Sequence, residues 1–160
     1  MLFRSLDSRP GGRKPLFLTG CGLQVVNPLL PRDDFPESVR IAGARLAEDA
    51  PDVVVGSSRG GAVAMALRPT AARLVLIAPA WRHFGVEPRL EGSPTILHSE
   101  QDEIIPIEDS RELLRRSSLP NSCLQVVGRD HSMNDPEALS ALLEAVRGEA
   151  KDAGHDRSQP

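Results

Sequence analysis

Ser58 stands in the middle of Gly56-Ser57-Ser58-Arg59-Gly60, directly after the apolar run Val53-Val54-Val55 and just before the small apolar stretch that begins at Ala62. A serine in that setting can act as a nucleophile. A sharp strand-to-helix turn exposes its hydroxyl, and the flanking glycines let the backbone and its neighbours come close. The helix start also directs free N–H groups and positive dipole at the same point. About 0.09 Gly-x-Ser-x-Gly matches are expected by chance at this composition, so context adds most of the weight. An anion-binding helix start favours the same residues and is the competing reading.

A serine hydroxyl is inert without a base. The chain has four histidines. His155 falls in a polar terminal stretch and His98 falls inside or at the end of an apolar run. His83 follows the run Leu74-Val75-Leu76-Ile77, and His131 follows the run Leu124-Gln125-Val126-Val127, so both stand at strand exits and compete for the role. The acid is equally open on chemistry alone. Glu100, Asp102 and Glu103 crowd the exit of Thr95-Ile96-Leu97-His98, where a carboxylate could orient an imidazole from the next loop. Asp130 would have to fold back on its neighbour His131, and Asp135 is more simply a helix cap.

These residues need a scaffold. Apolar runs at residues 16–19, 23–26, 53–55, 74–77, 95–98 and 124–127 read as strands, several of them continuous rather than alternating, as in strands covered on both faces. Between them lie helical spacings. Val39, Ala42 and Leu46 follow Pro36, residues 108–116 form a weaker amphipathic stretch, and Leu139, Leu142, Leu143 and Val146 follow Asp135-Pro136-Glu137. Alternating strands and helices imply an α/β fold, a three-layer α/β/α sandwich on a mainly parallel, six-stranded sheet. In such sheets sites gather beyond the carboxyl ends of the strands. Residues 15–149 are expected to form one domain, with polar tails at 1–14 and 150–160.

The 160 residues carry 19 Lys and Arg against 22 Asp and Glu, a formal charge of −3, which supplies no field for nucleic acid or an anionic membrane. The longest apolar run, residues 74–81, is far below the roughly 20 residues of a membrane span. The first residues lack the apolar core of a secretory signal. Cys21 and Cys123 make neither a CxxC pair nor a metal spacing, and a reducing cytoplasm is the expected compartment.

Four segments together resemble the α/β-hydrolases, in particular their small lidless serine hydrolases and esterases: Phe17-Leu-Thr-Gly-Cys-Gly22, Val54-Val-Gly-Ser-Ser-Arg-Gly-Gly61, Ile96-Leu-His-Ser-Glu-Gln-Asp-Glu-Ile-Ile-Pro106 and Asp130-His131. They come in that family's order of serine, acid and histidine. The resemblance implies Ser58 as nucleophile, Asp102 as acid and His131 as base, the acid through the family's His-Gly-x-x-Asp-x-x-x-Pro pattern. It further implies an oxyanion hole from the amides of Cys21 and Arg59. Thr19 stands where the family often has His, and Ser99 where it commonly has Gly. The family's two leading strands have no counterpart, and residues 79–92 leave no room for a lid.

The resemblance also implies acyl transfer through an acyl-enzyme, most simply on a small carboxylic ester, with no cofactor and no metal. A thioesterase or amidase with the same triad is the neighbouring reading. A weakly active or silent interaction module on the same fold is the reading from another class. Trp81 and Phe84 are expected to roof the acyl pocket or else to plug the sheet edge. The Arg59 side chain is a candidate rim charge for acidic substrates, and Cys21 a small residue of the pocket wall.

Overall fold

The continuous β-branched and aliphatic runs at the centre of the chain do form a parallel sheet. The structure, a computed structural model, describes residues 2–3, 12–69 and 71–148. In chain order the elements are β1 (Leu2–Phe3), α1 (Arg13–Gly20), α2 (Phe35–Asp49), β2 (Val53–Ser57), α3 (Arg59–Leu67), β3 (Arg73–Ile77), β4 (Thr95–His98), α4 (Ile107–Arg116), a short 3₁₀ turn at Asn121–Cys123, β5 (Leu124–Val126) and α5 (Pro136–Arg147). The strands lie side by side as β1-β2-β3-β4-β5, each pair parallel.

Both faces of the sheet are covered, which is why its strands are apolar at nearly every position. Val54, Leu76 and Ile96 share one face with Ala42 of α2, Val63 of α3 and Leu113 of α4. Val53, Val55, Val75, Ile77 and Leu97 share the other with Leu18 of α1 and Leu142 of α5. The result is a three-layer α/β/α arrangement. Fully burying one such Val, Leu or Ile side chain contributes about 1.5–3 kcal/mol.

Local chemistry sets the helix ends. Asp34 caps α2 by accepting the Glu37 N–H at 2.9 Å, and Pro36 occupies the first turn. Asp135 caps α5 in the same way through the Ala138 N–H at 3.1 Å, and Gly148 ends it at φ +76°.

Among the described residues the sheet has five strands rather than six. Residues 16–19 lie inside α1, not in a strand. Pro15 and Leu18 are buried three positions apart while Leu16 is 62% exposed, a helical rather than an alternating burial pattern. Residues 23–26 lie in neither helix nor strand, although Leu23 and Val25 pack on the α5 side of the core. The strand beside β2 is instead Leu2–Phe3, inside the stretch expected to be a tail. Arg13 and Lys14, at the end of the same expected tail, open α1, while its residues 1 and 4–11 and the tail expected at 150–160 lie outside the described residues. Between β3 and β4, residues 78–94 contain neither helix nor strand.

The register brings four strand ends level. Ser57 pairs with Ile77, Ile77 with Leu97, and His98 with Val126. The loops leaving β2, β4 and β5 therefore open on one edge of the sheet.

Candidate active site

At the end of β2 the chain turns into α3 within a single residue. Ser58 takes φ 51° and ψ −117°, a conformation L-residues rarely adopt, which typically costs about 1–3 kcal/mol. Its surroundings hold it there. The Ser58 N–H donates to the Ile77 carbonyl at 2.8 Å, and its own carbonyl accepts from the amides of Gly61, Ala62 and Ala80. Two glycines make the turn sterically possible. A Cβ at Gly56 would lie 2.5 Å from the Gly60 carbonyl oxygen, and one at Gly61 would lie 2.9 Å from Pro79 Cα.

The Ser58 hydroxyl is within 3.1 Å of His131 Nε2, and His131 Nδ1 lies 2.7 Å from Asp102 Oδ2. The protonation pattern follows from the partners. A carboxylate only accepts, so Nδ1 carries the proton and Nε2 offers its lone pair to the serine O–H. The Asp102 side chain is fully buried, and its second oxygen accepts the Ile104 and Ile105 amides at 2.9 Å each. Those two bonds anchor Oδ1 and leave Oδ2 to the imidazole.

The histidine loop is anchored from three sides. Asp130 accepts from the Ser132 hydroxyl at 2.6 Å and the Met133 amide at 3.0 Å. The Ser132 hydroxyl in particular holds the Asp130 carboxyl below the usual carboxylate range. The Lys14 ammonium, from α1, donates to the Ser132 carbonyl. Ser99 joins the two loops. Its hydroxyl donates to the Gly128 carbonyl at 3.0 Å and accepts the Gln101 amide at 3.1 Å. The Ser99 hydroxyl thus becomes a strut between the loops of Asp102 and His131.

Other histidines and acids are placed elsewhere. His83 packs edge-on against Phe84, with ring centroids 5.0 Å apart. His155 lies outside the described residues. Glu100 pairs with Arg111, Glu87 with Arg68 and Glu91 with Arg89, while Glu103 is exposed. His98 is buried directly beneath Asp102, a position that sequence reasoning did not assign. Its signal was a histidine closing an apolar strand four residues before the acid.

Three expectations are corrected. The Cys21 amide is not an open oxyanion donor. It ends α1, donating to the Phe17 and Leu18 carbonyls at 3.0 and 3.1 Å, because the segment before it is helical. The Arg59 side chain is not a rim charge. It is 2% exposed, donates to the Pro31 carbonyl and Ser38 hydroxyl at 2.7 Å and to the Asp34 carbonyl at 3.2 Å, and lies 5.7 Å from the centroids of both Phe35 and Phe84. Burial pushes its pKa down from the usual guanidinium value, against the opposing pull of Asp33 and Asp34. Trp81 is not a pocket roof. It is 4% exposed in the core, with its indole N–H on the Asp109 carbonyl at 3.1 Å. Phe84 is partly exposed and stacks on Phe35 at 4.8 Å.

The Arg59 backbone is a different matter. The first bonds into the Ser58 carbonyl come from Gly61 and Ala62, so the helix's own ladder leaves the Arg59 and Gly60 amides as donors at the N-terminus of α3. Among the described residues no cluster of three His, Cys, Asp or Glu side chains could hold a metal ion, and no helix is long and apolar enough to cross a membrane.

No protein-family model and no curated protein sequence matches the chain. Solved structures do. A protein assigned as a hydrolase of the alpha/beta superfamily from Xanthomonas campestris pv. campestris is 22% identical with a TM-score of 0.67, over 92% of this chain and 93% of that one. An alpha-beta serine hydrolase homologue from Coxiella burnetii is 18% identical with a TM-score of 0.63, over 93% and 84%. Est1E from Butyrivibrio proteoclasticus is 15% identical with a TM-score of 0.67, over 92% and 84%. The chain adopts the α/β-hydrolase fold.

Proposed function

We propose that the protein is a serine hydrolase that cleaves acyl bonds, most simply those of a small carboxylic ester, through an acyl-enzyme on Ser58. The observation that carries this reading is the unbroken hydrogen-bonded line from the Ser58 hydroxyl through His131 to Asp102, at 3.1 and 2.7 Å. In the reading, His131 Nε2 takes the Ser58 proton as Oγ attacks the carbonyl carbon. Asp102 keeps the Nδ1–H tautomer and stabilises the imidazolium that forms. The oxyanion meets the Arg59 amide at the positive end of α3. Losing such a donor typically costs roughly 2.7–4 kcal/mol. The imidazolium then protonates the leaving group, and water activated by the same His131 releases the acyl group.

The substrate on this reading is a small molecule, and neither nucleic acid nor a membrane takes part. The two unpaired cysteines support placement in a reducing cytoplasm. Phe84, partly exposed on the loop after β3, is the aromatic side chain left to contact the acyl group.

Purified protein, wild type and Ser58→Ala, is to be assayed on esters, thioesters and amides of graded acyl length. Turnover that requires Ser58 supports the hydrolase, and the preferred leaving atom sets the class. No Ser58-dependent turnover of any of them would favour an interaction module on this fold.

A further inference from the structure

His98 is a fully enclosed ionisable side chain beside the site, and the proposed mechanism does not use it. Its side chain is 0% exposed, at the last position of β4. Nδ1 lies 2.7 Å from the Ser110 hydroxyl of α4, and Nε2 lies 3.0 Å from the Ile105 carbonyl and 3.3 Å from Asp102 Oδ2. These partners leave one tautomer. A carbonyl and a carboxylate both accept, so Nε2 carries the proton, and Nδ1 accepts from the Ser110 O–H.

The bonds close a ring around the acid. Asp102 Oδ1 takes the Ile104 and Ile105 amides, and His98 holds the Ile105 carbonyl from below. The same Nε2–H leans on Oδ2, the oxygen that His131 uses. Asp102 thus faces two imidazoles, one that reaches Ser58 and one held between the sheet and α4. Burial pushes the His98 pKa below the ordinary imidazole value, so the ring stays neutral and its donor stays in place. The titratable groups facing it are Asp102 and His131. From α4, packed on its other side, the uncharged Ser110 hydroxyl meets Nδ1.

We infer that His98, set by Ser110, is a positioning residue for the proposed reaction: it holds the Asp102 carboxylate in the orientation that aligns His131 on Ser58. The inference rests on the hydrolase reading and deepens it.

The test compares wild type with His98→Leu, which removes the donor, His98→Gln, whose amide can restore a donor near the Nε2 position, and Ser110→Ala, which only unties the ring. Two quantities are read. One is the low-field ¹H NMR signal of the His131 Nδ1–H, observed in the protein alone. The other is kcat per active site, with sites counted by fluorophosphonate titration. The Leu variant is expected to shift or broaden the low-field signal and to lose about tenfold or more in kcat with KM little changed. Gln is expected to recover most of both, and Ser110→Ala to fall between. If His98→Leu does not fold, Ser110→Ala and His98→Gln still decide the matter. An unchanged low-field signal and unchanged kcat per titrated site, with only a lower melting temperature, would overturn the inference. Absence of Ser58-dependent turnover in wild type would count against the hydrolase instead, while the NMR signal still decides whether His98 orients the Asp102–His131 pair.

Discussion

His131 Nδ1 lies 2.7 Å from Asp102 Oδ2 although 29 residues separate them and each rides on a different strand-exit loop. The parallel register of β4 with β5, His98 opposite Val126, sets the two loops level, and Ser99 ties one to the other. A substitution of the same shape tests this pairing. Asp102→Asn keeps the shape but presents an N–H or a weaker acceptor to Nδ1, which favours the wrong tautomer. Turnover of a short ester is expected to fall roughly 10³–10⁴-fold with little loss of melting temperature. Near-normal rates would remove Asp102 from the mechanism.

Ser58 pays in stability for its exposed position. At φ 51° and ψ −117° it holds a conformation open to glycine. Ser58→Gly is therefore expected to abolish turnover and yet to raise stability by about 1 kcal/mol, a melting shift of about 2–4 °C at this chain length. Thermal unfolding measures it, and a variant less stable than wild type would show that the turn is not strained.

Gly56 is fixed by contact rather than by torsion. A Cβ there meets the Gly60 carbonyl oxygen at 2.5 Å and Gly61 Cα at 2.7 Å, both backbone. Gly56→Ala is expected to destabilise the protein by about 1–3 kcal/mol and to lower activity with it. Gly20, with nothing within 4 Å of an added Cβ, is the matched control, and Gly20→Ala is expected within about 0.5 kcal/mol of wild type. Chemical denaturation of the two variants separates these outcomes.

Much of this arrangement was legible in the sequence, and the reasons differ by residue. Ser58 was readable because its geometry is dictated locally by glycines, a preceding strand and a following helix. Asp102 and His131 could be nominated by family order, but chemistry alone left His83 and Glu100 in play, since only the register of β3, β4 and β5 decides which loops meet. The error at Cys21 began at residues 16–19. Three apolar residues in a row, Leu16-Phe17-Leu18, fit a strand or a helix face equally well, and packing on α5 and the sheet selected the helix. Leu2–Phe3 escaped notice because a two-residue strand has no periodicity to read. The Arg59 side chain was misplaced for a further reason: its burial depends on carbonyls of Pro31 and Asp34, which no local pattern announces.

The corrected place of Arg59 carries its own consequence. Arg59→Lys shortens the side chain and withdraws the one nitrogen, Nη2, that reaches the Pro31 and Asp34 carbonyls and the Ser38 hydroxyl, leaving buried acceptors short of a donor at a cost of about 1–3 kcal/mol in stability. The ratio of kcat/KM for anionic over neutral esters is expected to stay within about twofold of wild type. A selective loss of the anionic substrate would return the guanidinium to the pocket rim.

His98 makes stability depend on pH. Burial lowers its pKa in the folded protein below the ordinary value of about 6.5, so below that value the unfolded chain binds a proton that the folded chain does not. Stability therefore rises with pH through this window and is lost as pH falls below about 6.5, with a slope of up to about 1.4 kcal/mol per pH unit. Denaturation midpoints of wild type and His98→Gln between pH 5 and 7 check this, and the variant is expected to show the shallower dependence. Parallel curves would assign the acid loss to other groups.

The central claim is that Ser58 Oγ is a nucleophile activated by His131. Reaction of the intact protein with a fluorophosphonate, followed by mass spectrometry of its peptides, reads that claim at one atom. A single phosphonate adduct is expected on the peptide carrying Ser58, lost in Ser58→Ala and much slowed in His131→Ala. An unlabelled wild type, or an adduct that persists when Ser58 is replaced, would contradict it.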